Sequence, residues 1–332
     1  MATKGRVITL NNTVGVAGYA ATVGKKEHEG PLGGLFSDYC TDERFGESTF
    51  EAAESAIQKR CFEAALEKAG WQGCDAVFAG DLQNQCTASH YAFTPYRLPH
   101  IGLYGACSTM ALSLAMGSLA VETGGMDKAA AVTSSHFCTA ERQFRYPLEY
   151  GNQRTPTAQW TVTGGGCVLL ENKTHPVRVK SVLFGRLIDY GITDISNMGA
   201  AMAPAAADSL LDYFASSSLS PSDFDAVYTG DLGFIGTELL YDLLDADGLD
   251  LKGVHNDCGC MIFERKEQDV HAGGSGCGCS AAVLCGKILP EMERGESKRV
   301  LFCATGALMS PTTVNQGQSI PAVAHIVELT SE

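Results

Sequence analysis

The stretch Tyr104-Gly-Ala-Cys-Ser-Thr-Met-Ala-Leu-Ser-Leu-Ala-Met-Gly-Ser-Leu-Ala-Val-Glu122 indicates a sharp turn that leads into a buried helix. Gly105 permits a backbone turn that a side chain would obstruct. From Thr109 to Val121 only small polar residues interrupt Met, Ala and Leu, and no residue is charged. Such a helix has no polar face, so the rest of the chain must cover it on all sides.

Cys107 is predicted to lie in the first turn of this helix. A helix N-terminus favours negative charge and lowers the pKa of a cysteine placed there. Ser108 or Thr109 can cap the exposed N–H groups. Cys107 is therefore the best candidate in the chain for a thiolate nucleophile or an anion-facing thiol. The alternative is a small apolar side chain at a tight junction, because free cysteine is among the most buried residue types.

The composition predicts a compact chain with room for two domains or for one duplicated fold. Of its 332 residues, 45% are hydrophobic and 19% are charged, and the mean hydropathy is +0.00. The N-terminal residues lack an apolar signal region. Apart from the Gly- and Ser-interrupted helix after Cys107, no uncharged apolar run approaches the roughly 20 residues of a membrane span. We therefore expect a chain that is neither secreted nor membrane-spanning.

Cysteine usage and net charge restrict the possible ligands. Thirteen cysteines without a signal region indicate a reducing compartment, and an odd number cannot pair fully within one chain. The pairs Cys258/Cys260 and Cys277/Cys279 are spaced more closely than structural zinc ligands usually are, so we expect no metal and no cofactor. A net charge of −14 and a pI near 5.0 oppose nucleic-acid binding and polybasic membrane attachment. An anionic ligand must therefore find a local positive site.

An internal repeat relates the two parts of the chain. The segments Asp75-Ala-Val-Phe-Ala-Gly-Asp-Leu82 and Asp225-Ala-Val-Tyr-Thr-Gly-Asp-Leu232 agree at six of eight positions, and each follows an Ala- and Leu-bearing helix. Cys107-Ser108 and Cys279-Ser280 then each open an apolar helix that leads to an apolar strand. Strands that alternate with helices predict an α/β architecture, and two equivalent buried helices predict a layered interior.

The repeat predicts two halves, residues 1–172 and 173–332. The seam lies near residues 171–180, where the most polar short stretch of that region ends at Pro176. Proline interrupts a regular element, so the boundary is expected there. The first half carries Cys107, and the second carries a Gly-rich turn before its own buried helix.

Eight segments carry a resemblance to a known family. They are Gly80-Asp-Leu-x-Asn-Gln85, Tyr104-Gly-Ala-Cys-Ser-Thr109, Thr133-Ser-Ser-His136, Thr139-Ala-Glu-Arg-Gln-Phe-Arg145, Met202-Ala-Pro-Ala-Ala-Ala-Asp208, Asp257-Cys-Gly259, Ala272-Gly-Gly-Ser-Gly-Cys277 and Ala304-Thr-Gly-Ala307. In these segments the chain resembles the thiolase and ketoacyl-synthase superfamily and, within it, the stage V sporulation protein AD family of spore-forming Firmicutes. The resemblance implies a thiolase-like fold whose duplicated halves form five layers, α-β-α-β-α.

Working enzymes of this superfamily need an activating histidine and a second His, Asn or Cys beside the thiol. The resemblance places these partners at the second-half strand end, here Thr229-Gly-Asp231, and in the Gly-rich turn, here Gly274-Ser-Gly276. Neither segment offers an imidazole. We therefore predict a binding pocket rather than an efficient enzyme. The alternatives are an acyltransferase or thiolase-like enzyme that acts through Cys107, and a scaffold with neither activity.

The resemblance also implies a ligand, partners and a location. The family is understood to bind dipicolinic acid (pyridine-2,6-dicarboxylate), free or as its calcium chelate, and to work with membrane proteins of the same operon in loading the spore. The location implied is peripheral, at the forespore or spore inner membrane. Hydroxyl, imidazole and backbone N–H groups suit the two carboxylates of this ligand. The residues expected to bind it are Cys107, Ser134, Ser135, His136 and Ser275.

Other charged residues leave alternatives open. Arg142 or Arg145 could supply positive charge to the ligand, or could lie at the surface or in a dimer contact. Asp81 and Asp231 could act as acid and base, bind Ca²⁺ or cap turns.

We also expect a homodimer. Thiolase-like proteins typically pair through an edge strand of the first half, and the segment from Ala129 to Thr133 is an uncharged candidate for that strand.

Overall fold

The computed structural model describes residues 2–4, 6–144 and 154–331. The strands are β1 Ala2–Lys4, β2 Val7–Gly24, β3 Asp38–Cys40, β4 Ala76–Gly80, β5 His100–Gly102, β6 Lys128–Ser135, β7 Trp160–Thr161, β8 Gly164–Glu171, β9 Val177–Leu183, β10 Ala226–Thr229, β11 His255–Asp257, β12 Gly274–Ser275, β13 Arg299–Ala307 and β14 Ala322–Ser331. The helices are α1 Lys25–His28, α2 Phe50–Ala69, α3 Thr87–Phe93, α4 Thr109–Glu122, α5 Phe137–Phe144, α6 Met198–Ser216, α7 Gly233–Ala246, α8 Cys258–Met261, α9 Cys277–Val283, α10 Leu289–Glu293 and α11 Pro311–Asn315.

The sheet shows the duplication directly. Its strand order is β11-β10-β13-β14-β9-β2-β8-β6-β4-β5, so the second half repeats the order of the first outward from the centre. The directions match as well: β4 is parallel to β5 and β6 as β10 is parallel to β11 and β13, while β6–β8 and β13–β14 are antiparallel. The repeated segments form β4 and β10.

The strands of the two halves are hydrogen-bonded into one continuous order. The reason is the length of β2, whose 18 residues exceed the reach of a single partner. Its residues Val7–Gly15 pair with β9, and Gly15–Val23 pair with β8. The last strand of the first half, β8, ends at Glu171, and β9 begins at Val177.

The layers are built around α4. This helix contacts β4, β6 and β8 of the first half and β9, β13 and β14 of the second, and α9 packs beside it. Helices α2 and α3 cover the outer side of the first half, and α6 and α7 cover that of the second. The arrangement is the predicted five-layer thiolase-like α/β fold. No helix among the described residues is long and apolar enough to cross a membrane.

Apolar and polar residues do not alternate along the inner strands, because helices cover both faces of these strands. The segment that forms β4, Ala-Val-Phe-Ala-Gly, is buried at every position, and β6 is buried from its second residue onward. Such runs are typical of parallel strands between helical layers. Close packing also needs small residues. A Cβ on Gly166 of β8 would lie 2.5 Å from the carbonyl oxygen of Ala281, so glycine allows α9 to rest on this strand.

The prediction that the segment from Ala129 to Thr133 forms an edge strand is wrong. Ala129 to Thr133 lies within β6, which pairs with β4 on one side and with β8 on the other. The free edge of the first half is β5, since the strand order ends there. The bonds that flank the parallel β4–β5 ladder run from the Val77 N–H to the Pro99 carbonyl and from the Leu103 N–H to the Ala79 carbonyl. Backbone groups alternate along a strand, so those of His100 and Gly102 point away from β4.

The homodimer remains a prediction, now placed at β5. Two copies of this uncharged edge can pair antiparallel through the outward N–H and C=O groups of His100 and Gly102. Gly102→Pro removes one outward N–H and none of the bonds to β4. We expect light scattering at micromolar concentration to give a dimer mass for the parent protein and a monomer mass for this variant. A parent monomer, or an unchanged dimer in the variant, would contradict the assignment.

Candidate functional site

Cys107 lies in a tight turn between β5 and α4. Ala106 has a φ of 50°, in the left-handed region that few side chains tolerate. The Ser108 hydroxyl donates to the Gly105 carbonyl at 2.6 Å, and the Thr109 hydroxyl donates to the Ala106 carbonyl at 2.6 Å and accepts from the Gly105 N–H at 3.0 Å. These hydroxyls therefore fix the turn instead of capping the helix as expected, and α4 begins two residues after Cys107.

The second half closes over this turn through β13. A Cβ on Gly306 would lie 2.2 Å from the Gly105 carbonyl oxygen and 3.2 Å from the Cys107 nitrogen. Only glycine fits at such a distance from another backbone. The close approach buries Cys107, of which 5% is exposed, between the two halves.

Asp231 lies beside Cys107, a pairing that the sequence motifs do not indicate. Its carboxylate is fully buried and accepts hydrogen bonds from the Gly276 N–H at 2.8 Å, from the Thr305 hydroxyl at 2.8 Å and from the Cys107 thiol. Burial raises the pKa of Asp231 to about 7, although these three donors lower it. The carboxyl therefore lies where an activating imidazole was expected. The signal available in the sequence was its position at the end of a repeated strand.

Asp257 holds the loop that carries Asp231. Its two oxygens accept from the N–H groups of Leu232 and Gly233 at 2.9 Å, and one of them also accepts from the Thr229 hydroxyl at 2.7 Å. These bonds fix the start of α7, directly after Asp231. The Asp257 charge also adds to the rise in the pKa of Asp231.

A narrow cavity of about 20 Å³ opens beside Cys107. Its described lining is apolar apart from a few hydroxyl groups and the thiol, and it carries no charge. The lining residues are Leu82, Tyr104, Ala106, Cys107, Ala140, Phe144, Thr161, Met198, Ser275, Ala307 and Met309. A wider cleft of about 520 Å³ shares Tyr104, Phe144 and Met309 with the cavity and forms its mouth. The cleft and the narrow cavity together suit a small, flat, largely apolar ligand.

Ser275 lines the same cavity as Cys107, whereas Ser134 and Ser135 form hydrogen bonds within the protein interior. The Ser134 hydroxyl donates to Glu54 at 3.2 Å and accepts from Gln58 at 2.9 Å. The Ser135 hydroxyl donates to the Val162 carbonyl at 2.7 Å and accepts from the Gly278 N–H at 3.1 Å. Both serines are completely buried.

His136 lines a different cavity. Its Nε2 lies 2.8 Å from the Glu43 carbonyl oxygen, and its Nδ1 accepts from the Cys138 N–H at 3.1 Å. Burial lowers the pKa of His136, so the ring is neutral with both nitrogens occupied by backbone groups. This cavity, of about 80 Å³, is also lined by Lys25, Lys26 and Glu27.

Glu27 is a buried carboxyl beside that cavity. One of its oxygens accepts from the Thr163 N–H at 2.9 Å, and the other has no hydrogen-bond partner among the described residues. Burial raises the pKa of Glu27 to about 7. Two lysines and a buried acid therefore line this second cavity.

The predicted source of positive charge is only partly described. Arg142 is exposed, pairs with Glu51 at 2.9 Å and lies over the ring of Phe50. Arg145 lies outside the described residues. No described arginine or lysine lines the Cys107 cavity.

The repeat-equivalent Asp81 has a different environment from Asp231. It accepts from the Ser89 N–H at 2.8 Å, from the Ser89 hydroxyl at 2.7 Å and from the Gln83 N–H at 2.9 Å, so it fixes the turn into α3. Burial raises the pKa of both Asp81 and its neighbour Glu54. No group of three or more acidic, His or Cys side chains in the described part of the chain could hold a metal ion. All thirteen cysteines are free thiols.

Comparisons with known proteins give the family and the fold. Residues 4–330 match the model of the family described as stage V sporulation protein AD. The stage V sporulation protein AD of Bacillus subtilis (strain 168) is 41% identical over 314 residues, which cover 94% of this chain and 92% of the relative. The human mitochondrial 3-ketoacyl-CoA thiolase superposes with a TM-score of 0.60 at 13% identity and covers 99% of this chain and 100% of its own.

Two further solved structures have the same fold. A Xanthomonas campestris OleA variant gives a TM-score of 0.60 at 13% identity and covers 97% of this chain and 99% of its own. The 3-oxoacyl-(acyl carrier protein) synthase III of Pseudomonas aeruginosa gives 0.56 at 14% identity, with 96% and 98% covered. At these identities the likeness concerns the fold alone.

We expect the free energy of unfolding to fall as the pH rises from about 4.5 to about 7.5. Burial raises the pKa of Glu27 and Asp231 to about 7 and also raises that of Glu54. In the unfolded chain these carboxyls have a pKa near 4, so over this range the folded state holds protons that the unfolded state has lost. Stability is therefore present at lower pH and is lost through the folded pKa, by up to about 1.4 kcal/mol per pH unit for each group.

Urea unfolding at three pH values measures this slope. Glu27→Gln keeps the acceptor for the Thr163 N–H and removes one titrating group, so it should make the slope shallower. Glu47→Gln, at an exposed position, is the matched control and should leave the slope unchanged. A parent stability that stays constant or rises with pH would contradict the expectation.

Proposed function

The chain belongs to the stage V sporulation protein AD family, and on this premise we propose that it binds dipicolinic acid in the Cys107 cavity and assists its uptake into the developing spore. The observation that carries the proposal is a small, mostly apolar cavity at a superfamily thiol whose expected imidazole partners are missing. Together with the cleft at its mouth, such a cavity can hold a flat ring, but it lacks the acid–base groups that rapid acyl transfer needs.

The walls of the cavity match the ring better than they match its carboxylates. Leu82, Phe144 and Met309 offer apolar contact to a flat heterocycle. The hydroxyls of Tyr104, Thr161 and Ser275 line the same space and can donate to carboxylate oxygens. Cys107 lies among these groups and contributes a polarisable sulfur and a weak S–H donor.

The proposed role in the spore follows from the family to which the chain belongs. In this proposal the protein acts peripherally at the forespore or spore inner membrane, and membrane proteins of the same operon carry the ligand across. The ligand reaches the protein free or as its calcium chelate. Calcium in that case belongs to the cargo, bound by the ligand itself.

The cavity lined by His136 is the competing location for the ligand. Two lysines line it, and an ammonium group near a carboxylate is the simplest way to bind an anion. Its weakness is the lack of a free donor on His136, since both ring nitrogens already bond to the backbone. Variants in the two cavities separate the alternatives.

We expect Cys107→Ala to fold normally and to bind dipicolinate more weakly. Loss of one small buried contact typically costs about 1 to 3 kcal/mol, which is a roughly 5- to 150-fold rise in Kd. Isothermal titration calorimetry of the full chain at pH 6.5 measures this, with benzoate and acetyl-CoA as comparison ligands. Lys25→Ala removes a lysine from the His136 cavity and should leave binding unchanged.

The outcomes of this calorimetry identify the site. Unchanged affinity in Cys107→Ala together with weaker binding in Lys25→Ala would move the ligand to the His136 cavity. A parent protein that takes up no dipicolinate would refute the proposed function.

A second candidate function is acyl transfer through Cys107. The observation that favours it is the hydrogen bond from the thiol to Asp231, whose pKa near 7 lets it act as a base at neutral pH. In this reaction the Cys107 sulfur forms a thioester with the acyl carbon, the bond from that carbon to the sulfur of CoA breaks, and the thiol proton passes to Asp231. The departing CoA thiolate takes a proton from solvent.

We expect this reaction to be slow, because each missing acid–base partner typically costs about 10² to 10⁴ in rate. Incubation with acetyl-CoA followed by intact-mass spectrometry should show only substoichiometric acetylation of Cys107. Rapid, stoichiometric acetylation with turnover, abolished in Asp231→Asn, would instead make the protein an acyltransferase.

A further inference from the structure

The Cys107 cavity presents an electrostatic problem to a doubly charged ligand. None of its described lining residues carries a charge, and none supplies a cation to offset two carboxylates. The carboxyl group of Asp231, which accepts a hydrogen bond from the Cys107 thiol, is not among the residues that line the cavity. A dianion in the cavity would therefore lie one hydrogen-bonded group away from a buried acid. Two negative charges at that separation repel strongly where water is excluded.

The groups that surround Asp231 come from every element packed against it, and those described are neutral or acidic. The turn before α4 supplies the Cys107 thiol, β13 supplies the Thr305 hydroxyl, and the turn before α9 supplies the Gly276 N–H. The end of β11 supplies the Asp257 carboxylate. The thiols of Cys258, Cys277 and Cys279, on α8 and α9, lie close enough to interact electrostatically with Asp231, and the Gln159 side chain donates to the Asp231 carbonyl at 2.7 Å. Asp231 forms no ion pair with a described lysine or arginine.

We propose that Asp231 is the proton-binding residue of the Cys107 site and that a dicarboxylate ligand enters the cavity together with one proton, which Asp231 takes up. This inference rests on the proposed binding of dipicolinate. It assigns Asp231 a role in positioning and charge compensation without direct contact with the ligand, since Asp231 is not part of the cavity lining.

The hydrogen bonds of Asp231 explain how one proton both neutralises its carboxylate and releases the Cys107 thiol. As a carboxylate, Asp231 accepts from the thiol, the Thr305 hydroxyl and the Gly276 N–H. A proton on one of its oxygens removes the charge and weakens its hold on the Cys107 thiol. The S–H is then free to donate toward a ligand carboxylate in the cavity. Burial already raises the pKa of Asp231 to about 7, so the proton is available near neutral pH.

The expected pH dependence follows from the sign of this coupling. Well below pH 7 Asp231 is already protonated in the free protein, so the affinity does not change with pH. Above that pH the free protein has lost the proton and the complex regains it, so Kd rises by up to tenfold per pH unit until the pKa of the complex is passed. Proton uptake per ligand bound approaches one over the same interval.

Calorimetry in two buffers of different ionisation enthalpy, between pH 6 and 8.5, counts these protons. The parent protein should take up close to one proton per dipicolinate near pH 8. Asp231→Asn should take up none and should give a Kd that is constant with pH. Thr305→Val removes one donor to the carboxylate, raises its pKa further, and should shift the rise in Kd to higher pH. Asp242→Asn, at an exposed position on α7, should behave as the parent does.

Two further measurements keep the inference separate from the function on which it rests. The uncharged diamide of the same ring should bind without proton uptake. Infrared difference spectra of the ligand-free protein should show a protonated carboxyl band that titrates near pH 7 and is missing from Asp231→Asn.

The results that overturn each claim differ. Dipicolinate binding without proton uptake, uptake that persists in Asp231→Asn, or the absence of the infrared band would each overturn the role of Asp231. A normal infrared titration with no dipicolinate binding at any pH would overturn the proposed function and, with it, the linkage, while leaving Asp231 as a protonatable residue.

Discussion

The complete burial of α4 is the constraint on which the rest of the structure depends. A helix without a polar face needs apolar cover on every side, and one sheet can cover only one side of it. The duplicated half supplies the other cover through β9, β13 and β14. Because the turn before α4 is buried with the helix, it must be compact. The positive φ of Ala106 and the close approach of Gly306 are the local consequences of that compactness.

Duplication placed two equivalent aspartates at strand ends, and their surroundings gave them different properties. Asp81 bonds to the turn that follows it and to Ser89, all within the first half. Asp231 instead meets the thiol of the other half, because the Cys107 turn lies against the ends of β10 and β13. The same residue type therefore fixes a turn in one half and forms part of a candidate site in the other. Burial with no lysine or arginine of the described chain paired to it raises the pKa of the Asp231 carboxyl to about 7.

The polar residues at the end of β6 stabilise the protein from inside. Ser134 and Ser135 complete buried hydrogen-bond networks, and His136 joins two backbone segments. Their bonds satisfy groups that would otherwise be costly to bury. As a result the cavity beside Cys107 keeps mainly apolar walls. Recognition there would depend on shape, on a few hydroxyls and on the protonation of the carboxyl that accepts from the thiol.

The sequence by itself determined the buried helix, the repeated strands of β4 and β10, the α/β class and the family, because each depends on local composition or on motifs that are read along the chain. It placed Cys107 and Ser275 near matched points of the two halves, and the structure brings them to one cavity. Only the tertiary structure decided that Asp231 bonds to Cys107, that His136 faces another cavity, and that β5 rather than the segment from Ala129 to Thr133 is the free edge. These features depend on which strands become neighbours and which strand ends meet. An uncharged segment such as β6 has the same composition whether it is an edge or an interior strand, so pairing in three dimensions has to settle the difference.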